Sequence, residues 1–499
     1  MKKLLFPVIF LVSGSFSLFA QAEYETQKLF PADNTDKDRF GWSADMEEDF
    51  LIAGAPYDME AGSHKGAAYI YERTANGWTL NSKILPEGSG DTPDEFGTSV
   101  SIHGEWLAVG SIKSKKDAEA LMTGSVYIYH FNGSGWKQDT VLYPGDGWDE
   151  MLFGSNVSIS DTTVAVAGRD ERSGSAVDPV YIFTRSNGKW SQTQKILTAG
   201  TTDLQSICLY DTTLAIGYMY DEEVKCGAVH TYFFNKGSWD ESIRLVPQEK
   251  DYYGFFGKSV SLYHEKLMVG ASGSTDSNGH NHSAYIFHMD NGSWTRDTLI
   301  LPEDTISYDV GWFGSAVAIN DRYALIGAVD DNHDGHHNGA VYVYENINGA
   351  WEYTSILLFT KNPSILEENC QFGRSVSIYD TSFLAGAPSA ANDTWFTTGA
   401  AFLYHTPPVV TGTGTQPDRP AEEIEVFPVP ATDRLTIRLH TTNPRRILLT
   451  DLSGKIIRDI RTEKPVLTLN ISTLRPGMYL IIVEDTTGRS KKKILKIPG

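Results

Sequence analysis

A unit of about 57 residues recurs along this chain, and its copies cannot fold independently of one another. Each copy runs through Phe-Gly, a Ser-Val-Ser-Ile type segment, a short turn, a Leu-Ala-Val-Gly type segment, a variable loop, Gly-Ala-Val-Tyr-Ile-Tyr, an Asn-Gly turn, a Trp and a Lys-Ile-Leu-Pro run. Phe-Gly stands at Phe40-Gly41, Phe96-Gly97, Phe153-Gly154, Phe256-Gly257, Phe313-Gly314 and Phe372-Gly373, with glycine spacings of 56, 57, 103, 57 and 59. The long interval holds two units, the second with a degenerate start near Leu204-Gln205. The second-segment glycines Gly54, Gly110, Gly168, Gly217, Gly270, Gly327 and Gly386 give a total of seven.

Every apolar run has strand length, and alternation such as Ser99-Val100-Ser101-Ile102 puts successive side chains on opposite faces. Asn76-Gly77, Asn187-Gly188, Asn291-Gly292 and Asn348-Gly349 each precede a Trp and supply the positive φ angles of a tight hairpin. Four strands per unit without helical periodicity predict an all-β, seven-bladed propeller. The seventh unit ends at Phe402-Leu403-Tyr404 with no Trp strand after it. Its missing strand is supplied by Thr26 to Pro31, whose pattern matches the fourth strands, so the N-terminal strand is expected to close the ring and remove its unpaired edges.

These phased copies resemble FG-GAP repeats, the units of the integrin α head and of many bacterial secreted proteins; Gly54-Ala55-Pro56 and Gly386-Ala387-Pro388 carry the second half of that name. The resemblance covers residues 23–405. Residues 1–22, with Lys2, Lys3, an apolar run and Ala20-Gln21-Ala22, read as a signal peptide. No other run is long enough for a membrane helix, so no transmembrane segment is expected in the mature chain. Residues 406–423, rich in Pro, Gly and Thr, form a linker.

Residues 424–499 alternate short strands with turns and predict a small Ig-like β-sandwich. Phe427-Pro428-Val429-Pro430, Asp451-Leu452-Ser453-Gly454-Lys455, Leu474-Arg475-Pro476-Gly477-Met478-Tyr479 and the basic Lys491 to Lys496 resemble the type A sorting domain of type IX secretion, although that domain usually has Asn where Val429 stands. The resemblance implies contact with the type IX secretion machinery and export to the outer cell surface, or the surroundings, of a Gram-negative bacterium.

Charge narrows the partners. The chain carries −21, yet residues 424–499 hold 14 Lys+Arg against 7 Asp+Glu, which leaves −28 on the rest. Such a body argues against nucleic acid as partner. Three Cys in an exported chain is sparse; Cys208 and Cys226 share a unit but fall on strands not expected to be neighbours.

In a four-stranded antiparallel blade the loops from strand two to three, and from strand four to the next blade, emerge on one face. All the long loops of this chain lie there, so function is expected on that face. Its carboxylates Asp91, Asp94, Glu95, Asp146, Asp149, Glu150, Asp251, Asp304 and Asp309 accompany Trp42, Trp148, Tyr252, Tyr253, Trp312 and Trp395. Aromatic rings beside carboxylates suit an extracellular glycan or protein. Asp330, Asn332 and Asp334 alternate before Gly335 as in a calcium loop, with His336 and Asn338 following; Asp276, Asn278, His280 and His282 form a weaker copy. Calcium is thus the candidate cofactor, with a histidine-bound transition metal as its rival. No nucleophile elbow, metalloprotease helix, P-loop or dinucleotide fingerprint has the required context, so a non-catalytic binding or adhesion protein is expected. A polysaccharide-acting hydrolase or lyase and a structural envelope protein are the alternatives.

Overall fold

The computed structural model describes residues 21–31, 37–75, 77–86, 93–116, 121–169, 178–247, 254–273, 282–302, 310–333, 336–359, 368–392 and 397–405, and the strands and a few neighbouring residues between 425 and 496. The chain forms two compact units, residues 1–407 and 408–499. All named elements are β-strands.

The larger unit is a series of antiparallel sheets, consistent with a propeller. The first comprises Ser43–Met46, Phe50–Ala55, Ala67–Thr74 and Gly77–Ile84; the second Phe96–His103, Trp106–Ser111, Ser125–Phe131 and Trp136–Leu142. Asn156–Ser160, Thr163–Ala167, Pro179–Ser186 and Lys189–Leu197 make the third, and Thr201–Tyr210, Thr213–Asp221, Ala228–Asn235 and Ser238–Leu245 the fourth. The fifth is Phe256–Tyr263, Lys266–Ser272, His282–Asp290 and Ser293–Ile300. Val310–Ile319, Tyr323–Asp331, Ala340–Ile347 and Ala350–Leu358 form the sixth, joined by Gln21–Tyr24 as a parallel fifth strand. In the seventh, Val376–Tyr379, Ser382–Ala387 and Ala400–His405 pair with Gln27–Leu29 from the other end of the unit, Leu29 facing Ala401 and Gln27 facing Leu403. Among the described residues the parallel strand Gln21–Tyr24 has no counterpart in the other sheets, and it was not expected from the repeat.

The Phe-Gly signal has a packing cause. The Phe40, Phe96, Phe153, Phe256, Phe313 and Phe372 rings are at most 1% exposed, and Phe96 meets Tyr127 of its own sheet edge-on at 5.1 Å, a favoured aromatic geometry. Gly97, at φ +91°, brings its carbonyl so close to the preceding sheet that a Cβ on Gly54 would sit 2.0 Å from it. Two separate glycines of the repeat thus serve one backbone approach between neighbouring sheets. In the fourth sheet Leu204, 1% exposed, takes the place of the Phe, and the segment is one residue shorter before Ser206.

The alternating serines explain themselves in the same way. The first of each pair donates to the Phe-Gly carbonyl of the next sheet: Ser43 Oγ to Gly97 O at 2.8 Å, Ser99 to Gly154 at 2.7 Å, Ser206 to Gly257 and Ser259 to Gly314 at 2.9 Å, and Ser375 to Gly41 at 3.0 Å. The second accepts a backbone N–H from the next sheet: Ser101 from Ile159, Ser158 from Leu209, Ser261 from Ile319 and Ser377 from Met46. Cys208 Sγ takes that place in the fourth sheet, accepting from Leu262, and Asp45 takes it in the first, accepting from Ile102. Ala318, in the sixth, has no acceptor to offer. The serines therefore work as fasteners between sheets, which is why a polar side of the strand is buried without loss.

In the smaller unit, Glu425–Phe427, Arg434–Arg438 and Val466–Asn470 form one antiparallel sheet, and Ile456–Thr462, Arg445–Thr450, Gly477–Glu484 and Arg489–Lys496 another. Leu435, Ile437 and Leu469 of the first share a buried core with Ile447, Leu449 and Ile481 of the second. Cys208, Cys226 and Cys370 are free thiols.

Candidate binding face

The first strands of all seven sheets line one cavity of about 260 Å³. Its wall is Ser101, Ser158, Cys208, Ser261, Ala318, Ser377 and Asp45 with their apolar neighbours, so one carboxylate stands in a circle of neutral groups. Asp45 Oδ1 accepts from Ser377 Oγ at 2.8 Å and from its neighbour Met46 N at 2.9 Å, and Oδ2 from Ile102 N at 3.0 Å. Burial outweighs these bonds and pushes its carboxyl up to about 6.

The long-loop end of the axis is built from the residues flanking Phe-Gly. The residue before the Phe, or before Leu204, has positive φ in every sheet: Arg39, Glu95, Leu152, Asp203, Phe255, Trp312 and Gln371, at 49–63°. None is glycine, so each repeat stores backbone strain of order 1 kcal/mol at the same place.

Asp91, Asp251, Asp304 and Asp309 lie outside the described residues, and most of the described carboxylates of this face are spent inside the protein. Lys65 Nζ meets Asp94 at 2.8 Å, both buried; Lys113 meets Glu95 at 2.6 Å; Met122 N donates to Asp149 Oδ1 at 2.9 Å. A buried Asp four residues after the second-strand glycine recurs: Tyr69 OH donates to Asp58 at 2.8 Å and Tyr342 OH to Asp331 at 2.7 Å. In the third sheet the carboxylate arrives from a different loop, since Tyr181 OH and Lys195 Nζ both reach Asp146, at 2.8 and 2.7 Å. The Lys195 and Tyr181 bonds hold Asp146 below its ordinary range.

The cations behave differently. The Arg374 guanidinium lies 4.0 Å from the Trp42 ring centroid, and Arg39 lies 5.2 Å from Trp42 and 5.1 Å from Tyr57. Neither Arg39 nor Arg374 meets a carboxylate among the described residues. Arg374 is solvent-exposed yet surrounded by protein, and this confinement together with Arg39 pulls it below the ordinary arginine range. Lys258 donates to Gln205 Oε1 at 2.7 Å and is pushed down to about 8 by burial and by Arg374 and Arg169, against the pull of Asp203. Asp203 is itself bonded by Arg169 at 2.9 Å and by Gln205 at 2.7 Å. Among the described residues the centre of this face is therefore basic, although the unit as a whole is acidic.

Of the aromatic candidates, Trp312 is 44% exposed. Trp42 is part-buried and carries the two arginines; Trp148 is part-buried against the core of the second and third sheets, with Lys195 over its ring at 5.8 Å. Tyr252, Tyr253 and Trp395 lie outside the described residues. In the calcium-type loop, Asn332 Oδ1 accepts from His337 N at 3.1 Å, the fully buried Asn338 accepts from Cys370 N at 3.3 Å, and Asp330 Oδ1 faces His337 Nδ1 at 3.4 Å. His336 is part-buried, and Asp334 lies outside the described residues. The inward carboxylate of this loop is Asp331, which the alternation pattern does not include. In the weaker copy, Asp276, Asn278 and His280 lie outside the described residues, and burial pushes His282 below its usual range. Among the described residues no three His, Cys, Asp or Glu side chains cluster as a metal site.

Sequence reasoning missed Arg39, Lys258 and Arg374. The signal was present in the column of residues beside Phe-Gly, but only alignment of all the repeats on one axis brings those positions together.

Comparison with known proteins matches the FG-GAP repeat family over residues 24–71, 78–129, 136–183, 239–287 and 294–344, and the secretion system C-terminal sorting domain over residues 425–497. No curated protein matches the chain. Similar solved structures include PorZ, a surface component of the type-IX secretion system of Porphyromonas gingivalis, at 11% identity and TM-score 0.35, covering 90% of this chain and 64% of that one. The chain thus spans just under two thirds of PorZ. A fungal alcohol oxidase in complex with copper has 11% identity and TM-score 0.46, with 95% and 100% covered. A hypothetical selenium-binding protein from Sulfolobus tokodaii has 10% identity and TM-score 0.43, with 64% and 80% covered. The phased repeats and the C-terminal match agree: this chain is an FG-GAP repeat protein that ends in a secretion system C-terminal sorting domain.

Proposed function

We propose that the protein is a closed seven-bladed propeller followed in sequence by an Ig-like sandwich, exported by type IX secretion to the outer surface of a Gram-negative bacterium or released from it. There it binds an extracellular glycan or protein without catalysis. Closure is supported by the Gln27–Leu29 pairing and by Ser377 accepting from Met46, which returns the serine series to its start. The two sheets over one core support the sandwich.

The observation that carries the binding reading is the long-loop face itself: an exposed Trp312, and two arginines, Arg39 and Arg374, that rest on Trp42 and meet no carboxylate among the described residues. Exposed aromatics and unpaired guanidinium groups are what binding surfaces keep and folding cores consume. The test is a screen of the full chain and its Trp312→Ala variant against arrays of extracellular glycans and proteins. Binding that the variant loses is expected. Binding that Trp312→Ala leaves intact removes this face from the reading, and turnover of a bound polysaccharide replaces it with the hydrolase or lyase alternative.

A further inference from the structure

Lys258, Trp312, Arg374 and Arg39 belong to the fifth, sixth, seventh and first sheets, and each flanks the Phe-Gly of its own sheet. They are consecutive around the axis if the seventh sheet adjoins the first, as the Ser375–Gly41 and Ser377–Met46 bonds require. The cations of this arc repel one another. Lys258 feels Arg374 and Arg169, and Arg374 feels Arg39; among the described residues Asp203 is the one carboxylate that acts on Lys258, and it is already shared by Arg169 and Gln205. Residues 1–423 carry −28 with these cations included, so carboxylates are available to neutralise such a cluster, yet those of the described residues are placed in pairs such as Asp94 with Lys65. Trp42, held against both guanidinium groups, fixes the arginines instead of covering them.

We propose that this arc binds an acidic saccharide, its carboxylate or sulfate held by Arg374, Arg39 and Lys258 and its ring laid on Trp312. The inference rests on the binding reading above and names the class of ligand. The planar guanidinium suits both oxyanions. The acidic body disfavours a densely charged polymer such as nucleic acid, whose phosphates outside the arc would meet repulsion, while a sugar acid presents isolated charges between neutral faces.

The test is calorimetric titration of the full chain at low ionic strength with hyaluronan and kappa-carrageenan oligosaccharides, which carry one carboxylate and one sulfate per disaccharide respectively, neutral dextran and a short oligonucleotide. The hyaluronan oligosaccharide, the carrageenan oligosaccharide or both are expected to bind, the response to each telling carboxylate from sulfate, with neutral dextran and oligonucleotide at least about tenfold weaker. Arg374→Ala is expected to weaken binding about tenfold or more. Lys258→Gln, which removes the buried charge, should do the same with a Tm no lower than that of the wild type, and added NaCl should weaken the wild type. Neutral dextran bound as tightly, with both variants unaffected, overturns the acidic-saccharide inference while leaving the glycan reading in place. An equally tight oligonucleotide overturns the saccharide assignment. No binding of any probe overturns the inference and leaves the protein arm of the array to decide the broader reading.

Discussion

Ser377 Oγ donates a 2.8 Å hydrogen bond to Asp45 Oδ1 and accepts one from Met46 N at 3.2 Å, so two bonds join the seventh sheet to the first at the cavity wall. Every other sheet with a polar group at this position uses an uncharged one, and the single carboxylate is the costly member of the set.

Its cost has a pH signature. The Asp45 carboxyl is raised from 3.8 to about 6 in the folded protein. A folded-state pKa above the unfolded value contributes stability that is full below about pH 4 and is lost as pH rises through about 6, a difference of about 3 kcal/mol. Asp45→Ser, which restores the group found in most sheets, should lack this loss. The difference in unfolding free energy between variant and wild type, followed by denaturant titration from pH 4 to 7.5, is expected to shift in the variant's favour as pH rises. A pH-independent difference would show that Asp45 is not raised.

The Asp331–Tyr342 bond can be tested against a replacement the protein already contains. In the seventh sheet the equivalent positions are Ala390 and Phe402, both at 1% exposure. Asp331→Ala alone strands the Tyr342 hydroxyl and the His333 N–H and should cost about 2–3 kcal/mol. Asp331→Ala combined with Tyr342→Phe should cost less than Asp331→Ala alone, measured by equilibrium unfolding.

Asn338 separates a structural loop from a metal loop. Its buried Oδ1 accepts from Cys370 N across to the next sheet, so Asn338→Ala should lower stability by about 1–2 kcal/mol equally in calcium and in chelator. A deficit seen in calcium alone would instead identify a ligand, because a metal bound to the native state adds stability only when present.

Gly54→Ala is expected to be among the most damaging small substitutions. The added methyl would stand 2.0 Å from Gly97 O, a backbone atom with no rotamer through which to yield. A loss of about 3 kcal/mol or more, or failure to fold, is expected, whereas the exposed Gly188→Ala, with nothing within 4 Å, should be limited by its φ of +76° alone.

The strands and their register were legible because they are short-range and repeated: Ser99 and Ser101 alternate with Val100 and Ile102, and the pattern predicts which of them share a face. The Thr26 to Pro31 pattern pointed to the pairing with Ala400–His405 for the same reason. The candidate site was much less legible. Carboxylates such as Asp94 and Asp146 were visible as charges, but Lys65, Lys195 and Tyr181, which absorb them, come from other segments. Arg39, Lys258 and Arg374 are far apart in sequence, and each alone looks like a solvated surface charge. The alternation Asp330, Asn332, Asp334 drew attention away from Asp331, the residue whose carboxylate faces the core.

The pairing of Gln27–Leu29 with Ala400–His405 joins segments whose contact spans 377 residues between Thr26 and Leu403. An early strand of the unit thus finds its partner only when nearly the whole repeat array is present. Until then the chain keeps an open sheet edge and has yet to meet the entropic cost of its longest loop. An exported chain gains from that arrangement, because its final fastening waits until the whole repeat array has arrived.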